Sequence, residues 1–117
     1  MDIRSIYEKV SRKIQISQPE FFSYYNDTIG ELIDLYGERL TLGEGSRVEA
    51  DNLDDSICVS ELYAESIVDN IIALAGVSDD ASARKSEFIR KSRNAYNKEW
   101  SKVARGGKII SRRSRWF

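Results

Sequence analysis

The spacing of apolar side chains constrains the fold of this 117-residue chain more than any other feature. In several separate stretches, apolar residues return every three or four positions, which places them on one face of an α-helix. A half-buried strand would instead need strict alternation of apolar and polar residues. We therefore expect a mainly α fold, a small bundle of about four helices.

The first predicted helix covers about residues 2–14, with Asp2 as its N-cap. It is amphipathic, because charged residues fill the positions between the apolar ones. Its apolar stripe consists of Ile3, Ile6, Tyr7, Val10 and Ile14.

The second predicted helix has the clearest start in the chain. Residues 17–20, Ser-Gln-Pro-Glu, are typical of a capping box with proline in the first turn. The helix runs to about Tyr36 and is stopped by Gly37. We expect Glu31 to face water and Gly30 to permit the close approach of another backbone.

Two further helices are predicted in the second half. Ser60 caps a third helix that ends at about Ala75. The fourth covers about residues 80–103, and Gly106 and Gly107 follow it. We therefore expect a helical domain over residues 1–105 and an extended C-terminal arm over residues 106–117.

Residues 37–59 lose the helical period and collect Gly, Ser, Asp and Asn. They could form a short hairpin that turns at residues 43–45, Gly-Glu-Gly. A connection of this length in a small domain is often functional or partner-facing. Its candidate contact residues are Glu44, Arg47, Glu49, Asp51, Asp54 and Asp55.

Composition excludes many catalytic and metal sites. The chain has no histidine and one cysteine, which removes His-containing triads and dyads, structural zinc sites and an intrachain disulfide. No glycine-rich phosphate-binding loop follows a strand pattern. We expect no enzyme and no catalytic, cofactor-binding or metal-binding residue. A third and weaker hypothesis, an enzyme that uses Asp54 and Asp55, rests only on the presence of these carboxylates.

The same features suggest a soluble intracellular protein with no membrane partner. A lone cysteine fits a reducing or indifferent compartment. The N-terminal residues lack the apolar core of a signal peptide. No apolar stretch approaches the ~20 residues that span a bilayer.

Charge is divided unevenly along the chain. Residues 1–83 hold six Lys/Arg and seventeen Asp/Glu, a net charge of −11. Residues 84–117 hold twelve Lys/Arg and two acids, a net charge of +10. The overall charge of −1 therefore conceals an acidic body and a basic C-terminal part.

The basic fourth helix has three interpretations. Its cations could dock against acids of the other helices, contact an acidic neighbour in an oligomer, or bind phosphate directly. Asp69 and Asn70, polar residues inside the apolar third helix, could also face a neighbour. The candidate subunit-interface residues are Arg84, Lys85, Arg90, Lys91, Arg93, Lys98 and Asp69.

The arm combines basic residues with large apolar ones, which a merely solubilising tail would not need. Aromatic and Arg side chains are the usual anchors of protein interfaces. We predict that Gly106 and Gly107 form a hinge and that the arm docks on a partner protein. The alternatives are a disordered tail and an arm that packs on its own core. The predicted docking residues are Lys108, Ile109, Ile110, Arg112, Arg113, Arg115, Trp116 and Phe117.

The order of these elements resembles a family of small virion proteins of tailed bacteriophages, the head-to-tail connector (adaptor) proteins. The resemblance covers nearly the whole chain, but it rests on the order of elements and not on a diagnostic motif. The segments that carry it are Ser17-x-Pro19-Glu20-Phe21, Leu35-Tyr36-Gly37, Ile67-Val68-Asp69-Asn70-Ile71, the basic helix with Phe88, Ala95-Tyr96 and Trp100, and the arginine-rich end.

The resemblance implies a structural role in the virion neck. Members of the family are helical domains that form a ring of about twelve copies around the DNA exit channel. Their C-terminal segment grips the portal protein, and the opposite end receives a stopper or tail-completion protein. The channel wall lets genomic DNA pass without sequence-specific binding, and residues 37–59 could face it. Assembly would take place in the cytoplasm of the bacterial host.

Two functional hypotheses of different classes follow. The first is a head-to-tail adaptor subunit that joins the portal to the tail. The second is a small nucleic-acid-binding or regulatory protein that uses the fourth helix and the arm. Nucleic acid is less favoured, because the whole chain is slightly acidic and no nucleic-acid-binding motif is visible.

Overall fold

The computed structural model describes residues 2–37, 49–55, 57, 59–76 and 80–107, with side chains described as far as Trp100. Within these ranges the chain is mainly helical and contains no strand, which confirms the predicted bundle of about four helices. The predicted turn at residues 43–45 lies outside the described residues. The elements are α1 (Ile3–Ser11), α2 (Gln18–Tyr36), one turn of 3-10 helix (Glu61–Tyr63), α3 (Ala64–Ala75) and α4 (Ala81–Gly107).

The predicted caps begin the first two helices. The Asp2 carboxylate accepts a hydrogen bond from the Arg4 backbone N–H at 3.1 Å. The Ser17 hydroxyl accepts from the Glu20 N–H at 3.3 Å, and the Glu20 carboxylate accepts from the Ser17 N–H at 3.1 Å. This reciprocal pair is a complete capping box. The hydrogen bond from the Ser17 backbone, followed by that from its hydroxyl, lowers the pKa of Glu20.

Three helix boundaries differ from the expected ones. α1 ends at Ser11 and not near residue 14, although Ile14 still packs against the core. Ser60 caps a turn of 3-10 helix, through a 3.2 Å bond from the Leu62 N–H, and the α-helix begins only at Ala64. α4 continues past residue 103 to Gly107. Tertiary packing influences where such ends fall, and the local sequence does not report it.

α3 lies at the centre of the bundle. It contacts α1, α2 and α4, most extensively α4. Almost all of its side chains from Ala64 to Ile72 are buried, as its wide apolar stripe predicts. The largest fully buried side chains around it are Tyr25, Tyr63, Phe21 and Phe88. Burial of an apolar side chain such as Phe21 or Phe88 stabilises the fold by roughly 1.5–3 kcal/mol relative to exposure to water.

Asn26 attaches the described part of the connection between α2 and α3 to α2. The Asn26 amide donates to the Ala50 carbonyl and accepts from the Ala50 N–H, both at 2.9 Å. Ala50, Ile57 and Val59 are buried in the core. The described part of this connection therefore packs on the bundle. Asn26 was not singled out in the sequence, because a polar residue on a helix usually faces water.

Gly30 is exposed, and among the described residues no atom beyond its chain neighbours and helix backbone lies within 4 Å of the position a Cβ would take. No other described backbone of the chain therefore approaches it closely, and approach by another molecule stays a prediction. Gly30 lies on the outer side of α2, where helical spacing also places Asp27 and Asp34.

Candidate protein interfaces

Asp69 connects α3 to α4 through two cations. It is only 3% exposed. One carboxylate oxygen accepts from Arg84 at 2.8 Å and the other from Lys91 at 2.8 Å. The hydrogen bond to Asp69 is the main cause that raises the pKa of Arg84, so the guanidinium is held in its charged form. The neighbour that Asp69 faces is therefore α4 of the same chain.

Asn70 and Glu31 extend this network to α2. The fully buried Asn70 amide donates to the Thr28 hydroxyl at 2.9 Å and to the Glu31 carboxylate at 2.8 Å. Its carbonyl accepts from Lys85 at 2.9 Å, and Lys85 also binds Glu31. Both amide protons and the carbonyl of Asn70 thus have partners. Glu31 was expected to face water; its side chain is 33% exposed, but Asn70 of α3 and Lys85 of α4 bind its carboxylate.

Three predicted interface residues of α4, namely Arg84, Lys85 and Lys91, therefore bind acids of the same chain. This agrees with the first of the three interpretations of the basic helix. Among the described residues, Arg84 Nε is the member of this network that has no hydrogen bond, and it lies 3.4 Å from the Asp80 carboxylate. A network of this kind favours one mutual arrangement of the helices it joins. Glu31, Asp69 and Asn70 thus connect α2 and α3 to the inner cations of α4, which are Arg84, Lys85 and Lys91.

Three other cations of α4, namely Arg90, Arg93 and Lys98, do not take part in these ion pairs. Arg90 pairs with Glu87 of its own helix at 2.7 Å, which raises the pKa of Arg90 and lowers that of Glu87. Arg93 and Lys98 are exposed and have no ion pair within the described part of the chain. Surface pairs of the Arg90 kind contribute little to stability. These outer cations are available to an anionic partner.

Three tyrosine side chains pack together at the C-terminal end of α2. The Tyr36 and Tyr96 rings stack with centroids 4.8 Å apart, and Tyr36 contacts Tyr63 at 6.3 Å. The Tyr36 hydroxyl is hydrogen-bonded to the Ser92 hydroxyl at 3.0 Å. The buried Tyr63 hydroxyl has no hydrogen-bond partner among the described residues. Burial, followed by the negative charge of Glu99, raises the pKa of Tyr63.

The predicted contact residues of the connection divide into two groups. Glu44 and Arg47 lie outside the described residues. Glu49, Asp51 and Asp54 are exposed, and Asp54 pairs with Arg4 at 2.8 Å.

Asp55 has a local structural role in the same segment. Its carboxylate accepts from the backbone N–H groups of Asp51 and Asn52 at 2.9 and 3.1 Å. Asp54 and Asp55 are thus held by contacts that shape the connection.

The predicted hinge and arm are described only in part. Gly106 and Gly107 form the end of α4, so the helix includes the expected domain boundary. The docking residues from Lys108 to Phe117 lie outside the described residues. Their roles stay predictions.

No group of three or more His, Cys, Asp or Glu side chains in the described part of the chain could hold a metal ion. None of its helices has the length and apolar character needed to cross a bilayer.

One shallow depression lies beside α4, with a volume of about 230 Å³. Leu62, Lys91 and Lys98 are among its lining residues. It is smaller than the usual pocket for a small ligand.

Comparison with protein-family models, curated proteins and solved structures gave no match.

Proposed function

We propose that this chain is a structural virion protein, a head-to-tail adaptor subunit of a tailed bacteriophage. In this role, copies of the chain form a ring below the portal and join it to the tail. The ring surrounds the channel through which DNA leaves the head. The proposal rests on the resemblance in the order of elements and on the charge distribution of the chain.

The charge polarity is the observation that carries the proposal. The acidic body and the basic C-terminal part carry −11 and +10. Arg84, Lys85 and Lys91 are neutralised inside the bundle, whereas Arg93 and Lys98 remain outside. A subunit that must bind different partners on different sides needs such unlike surfaces.

The arm supports the portal-binding part of the proposal by its composition. It combines Arg112, Arg113 and Arg115 with Trp116 and Phe117. Buried aromatic and Arg side chains supply most of the binding energy in many protein interfaces. The stopper or tail-completion protein would then bind the side of the ring away from the portal. The exposed acids of residues 49–55 are candidates for the channel or for that partner.

Removal of the arm tests the portal contact. The full chain and a chain that lacks residues 108–117 are each co-expressed with the portal protein of the same phage genome, and co-purification is measured. We expect the truncated chain to keep its helical circular dichroism and to lose attachment. Normal attachment of the truncated chain would contradict the proposal.

Two matched variants of the full chain distinguish the contribution of the aromatic rings of the arm from that of its charges. Trp116→Ser with Phe117→Ser keeps the charges, and Arg112→Gln with Arg113→Gln keeps the aromatic rings. If the arm docks on a protein, the aromatic variant loses most of the binding, even at high salt. A purely electrostatic arm would instead depend mainly on the arginines.

The exposed cations Arg93 and Lys98 favour one second candidate, a nucleic-acid-binding protein. Binding through phosphates weakens steeply as salt increases, because counterions are released. Titration of the purified chain with duplex DNA at two salt concentrations tests this alternative. Absence of salt-dependent affinity at moderate ionic strength would exclude it.

A further inference from the structure

Two exposed stripes of opposite charge run along the outer sides of α2 and α4. Residues three or four apart share one face of a helix. The α2 stripe consists of Glu20, Ser23, Asp27, Gly30 and Asp34, all exposed. The α4 stripe consists of Ser82, Ser86, Arg90, Arg93, Asn97 and Trp100, all exposed.

The two stripes do not neutralise each other within the chain. Asp27 and Asp34 have no hydrogen bond or ion pair with any described residue, and neither does Arg93. The inner cations of α4 are already used by Asp69 and Glu31. Each stripe therefore keeps its own charge at the surface.

The shapes of the stripes are complementary as well. Gly30 has no side chain and Ser23 has a small one, so the α2 stripe protrudes little at these positions. Among the described residues, no atom beyond the chain neighbours and helix backbone of Gly30 lies within 4 Å of the position its Cβ would take. A glycine at such a site lets another helix approach closely. The α4 stripe includes Trp100, which is 48% exposed and large enough to fill such a surface.

We propose that the α4 stripe of one copy packs on the α2 stripe of a second copy. This inference deepens the proposed function and rests on it, because it names the contact between ring subunits. In the ring of the proposed function this contact between unlike surfaces is head-to-tail, and it repeats from subunit to subunit until the ring closes. Arg93 faces Asp27 and Asp34 across it, and Trp100 lies near Gly30.

Charge exchange tests the contact through complementation. The acid variant carries Arg93→Glu and Asn97→Glu, and the base variant carries Asp27→Lys and Asp34→Lys. Each variant alone would bring like charges together, which weakens association by more than about tenfold. An equal mixture restores opposite charges at every contact, because the two variants can alternate.

The measurement is size-exclusion chromatography with light scattering, for each protein alone and for the mixture. We expect assemblies of the wild type, the 13.4 kDa monomer for each variant alone, and assemblies of the mixture. Lys13→Glu with Gln15→Glu, at exposed positions on neither stripe, changes the net charge by −3 as the acid variant does; this control should assemble. Circular dichroism verifies that every variant is folded.

Three results would overturn the inference: a wild type that stays monomeric, a variant that assembles alone, or a mixture that stays monomeric. Different results would contradict the proposed function. If the mixture assembles but neither it nor the wild type attaches to the portal, the stripe contact stands and the adaptor role is wrong. If the wild type attaches to the portal but the mixture of variants stays monomeric, the adaptor role stands and the stripe contact is wrong.

Discussion

At the residue scale, Gly30 inside α2 and Gly37 at its C-terminal end differ in backbone conformation. Gly37 ends the helix with φ 68° and ψ −154°, a conformation that is essentially restricted to glycine. Gly30 lies on the exposed side of the helix with open space around it. The same substitution should therefore have opposite effects on stability at the two positions.

We predict that Gly37→Ala lowers the free energy of unfolding by about 1–3 kcal/mol, because alanine is strained in that conformation. Gly30→Ala should raise it by roughly 0.5–1 kcal/mol, because alanine favours the helix and meets no neighbour. Urea denaturation of the two variants measures both effects. Equal effects of the same sign would contradict the assigned backbone conformations.

Tyr63 makes the stability of the domain sensitive to alkaline pH. Burial and the nearby Glu99 charge raise the pKa of the folded-state phenol above the ordinary value of about 10. The folded state therefore holds the proton more tightly than the unfolded state. This contribution to stability is complete below that ordinary value and is lost as pH rises above it.

We predict that Tyr63→Phe reduces the loss of stability above about pH 10, the ordinary pKa of tyrosine. At neutral pH the variant should be as stable as the wild type or more so, because a buried hydroxyl without a partner is removed. Denaturation as a function of pH tests both expectations. A marked loss of stability at neutral pH would show that the hydroxyl has a partner in solution.

At the element scale, the polar network of Asp69 holds α3 and α4 together. Asp69→Asn leaves Arg84 and Lys91 without their shared carboxylate. We expect the free energy of unfolding to fall by roughly 2–3 kcal/mol. Breaking a buried ion pair typically costs more than that, but the two cations here are partly exposed, at 27% and 33%.

The control for this prediction is Glu8→Gln, which removes one negative charge at an exposed position of α1. It should change stability by less than about 0.5 kcal/mol. Thermal or urea unfolding of both variants provides the comparison. If both variants lose the same stability, net charge and not the α3–α4 network would be responsible.

The starts of α1 and α2 could be predicted from the sequence because their causes are local. Ser17 and Glu20 cap α2 within four residues of chain, and Asp2 caps α1 in the same way. The role of Glu31 could not be predicted by the same means. Helical spacing gives its angle around α2, but which helix covers that angle depends on the packing of α3 and α4.

The residues of the candidate interface could also be predicted only in part. The sequence identified the basic helix and named Asp69 as a candidate interface residue, but it did not pair Asp69 or Glu31 with the cations of α4. It could not separate the inner cations from outer ones such as Arg93, because that division depends on where Asp69 and Glu31 lie in three dimensions. Asn26 was missed for the same reason, since its partner Ala50 is distant in the sequence.

At the scale of the whole molecule, the described residues divide charge between ion pairs inside the bundle and exposed side chains on its outer surface, of which Asp27, Asp34 and Arg93 are unpaired. The acidic and basic parts of the chain meet inside, where α4 packs against α3. The stripes of α2 and α4 keep opposite charges outside. This arrangement suits a subunit that contacts copies of itself and a separate partner.

The mass of the particle formed with the portal tests the adaptor proposal most directly. The chain is co-expressed with the portal protein of its phage, and the purified complex is measured by native mass spectrometry. The proposal predicts a particle that contains a portal and a ring of many 13.4 kDa copies, about one per portal subunit. A portal that carries no copies of this chain would contradict it.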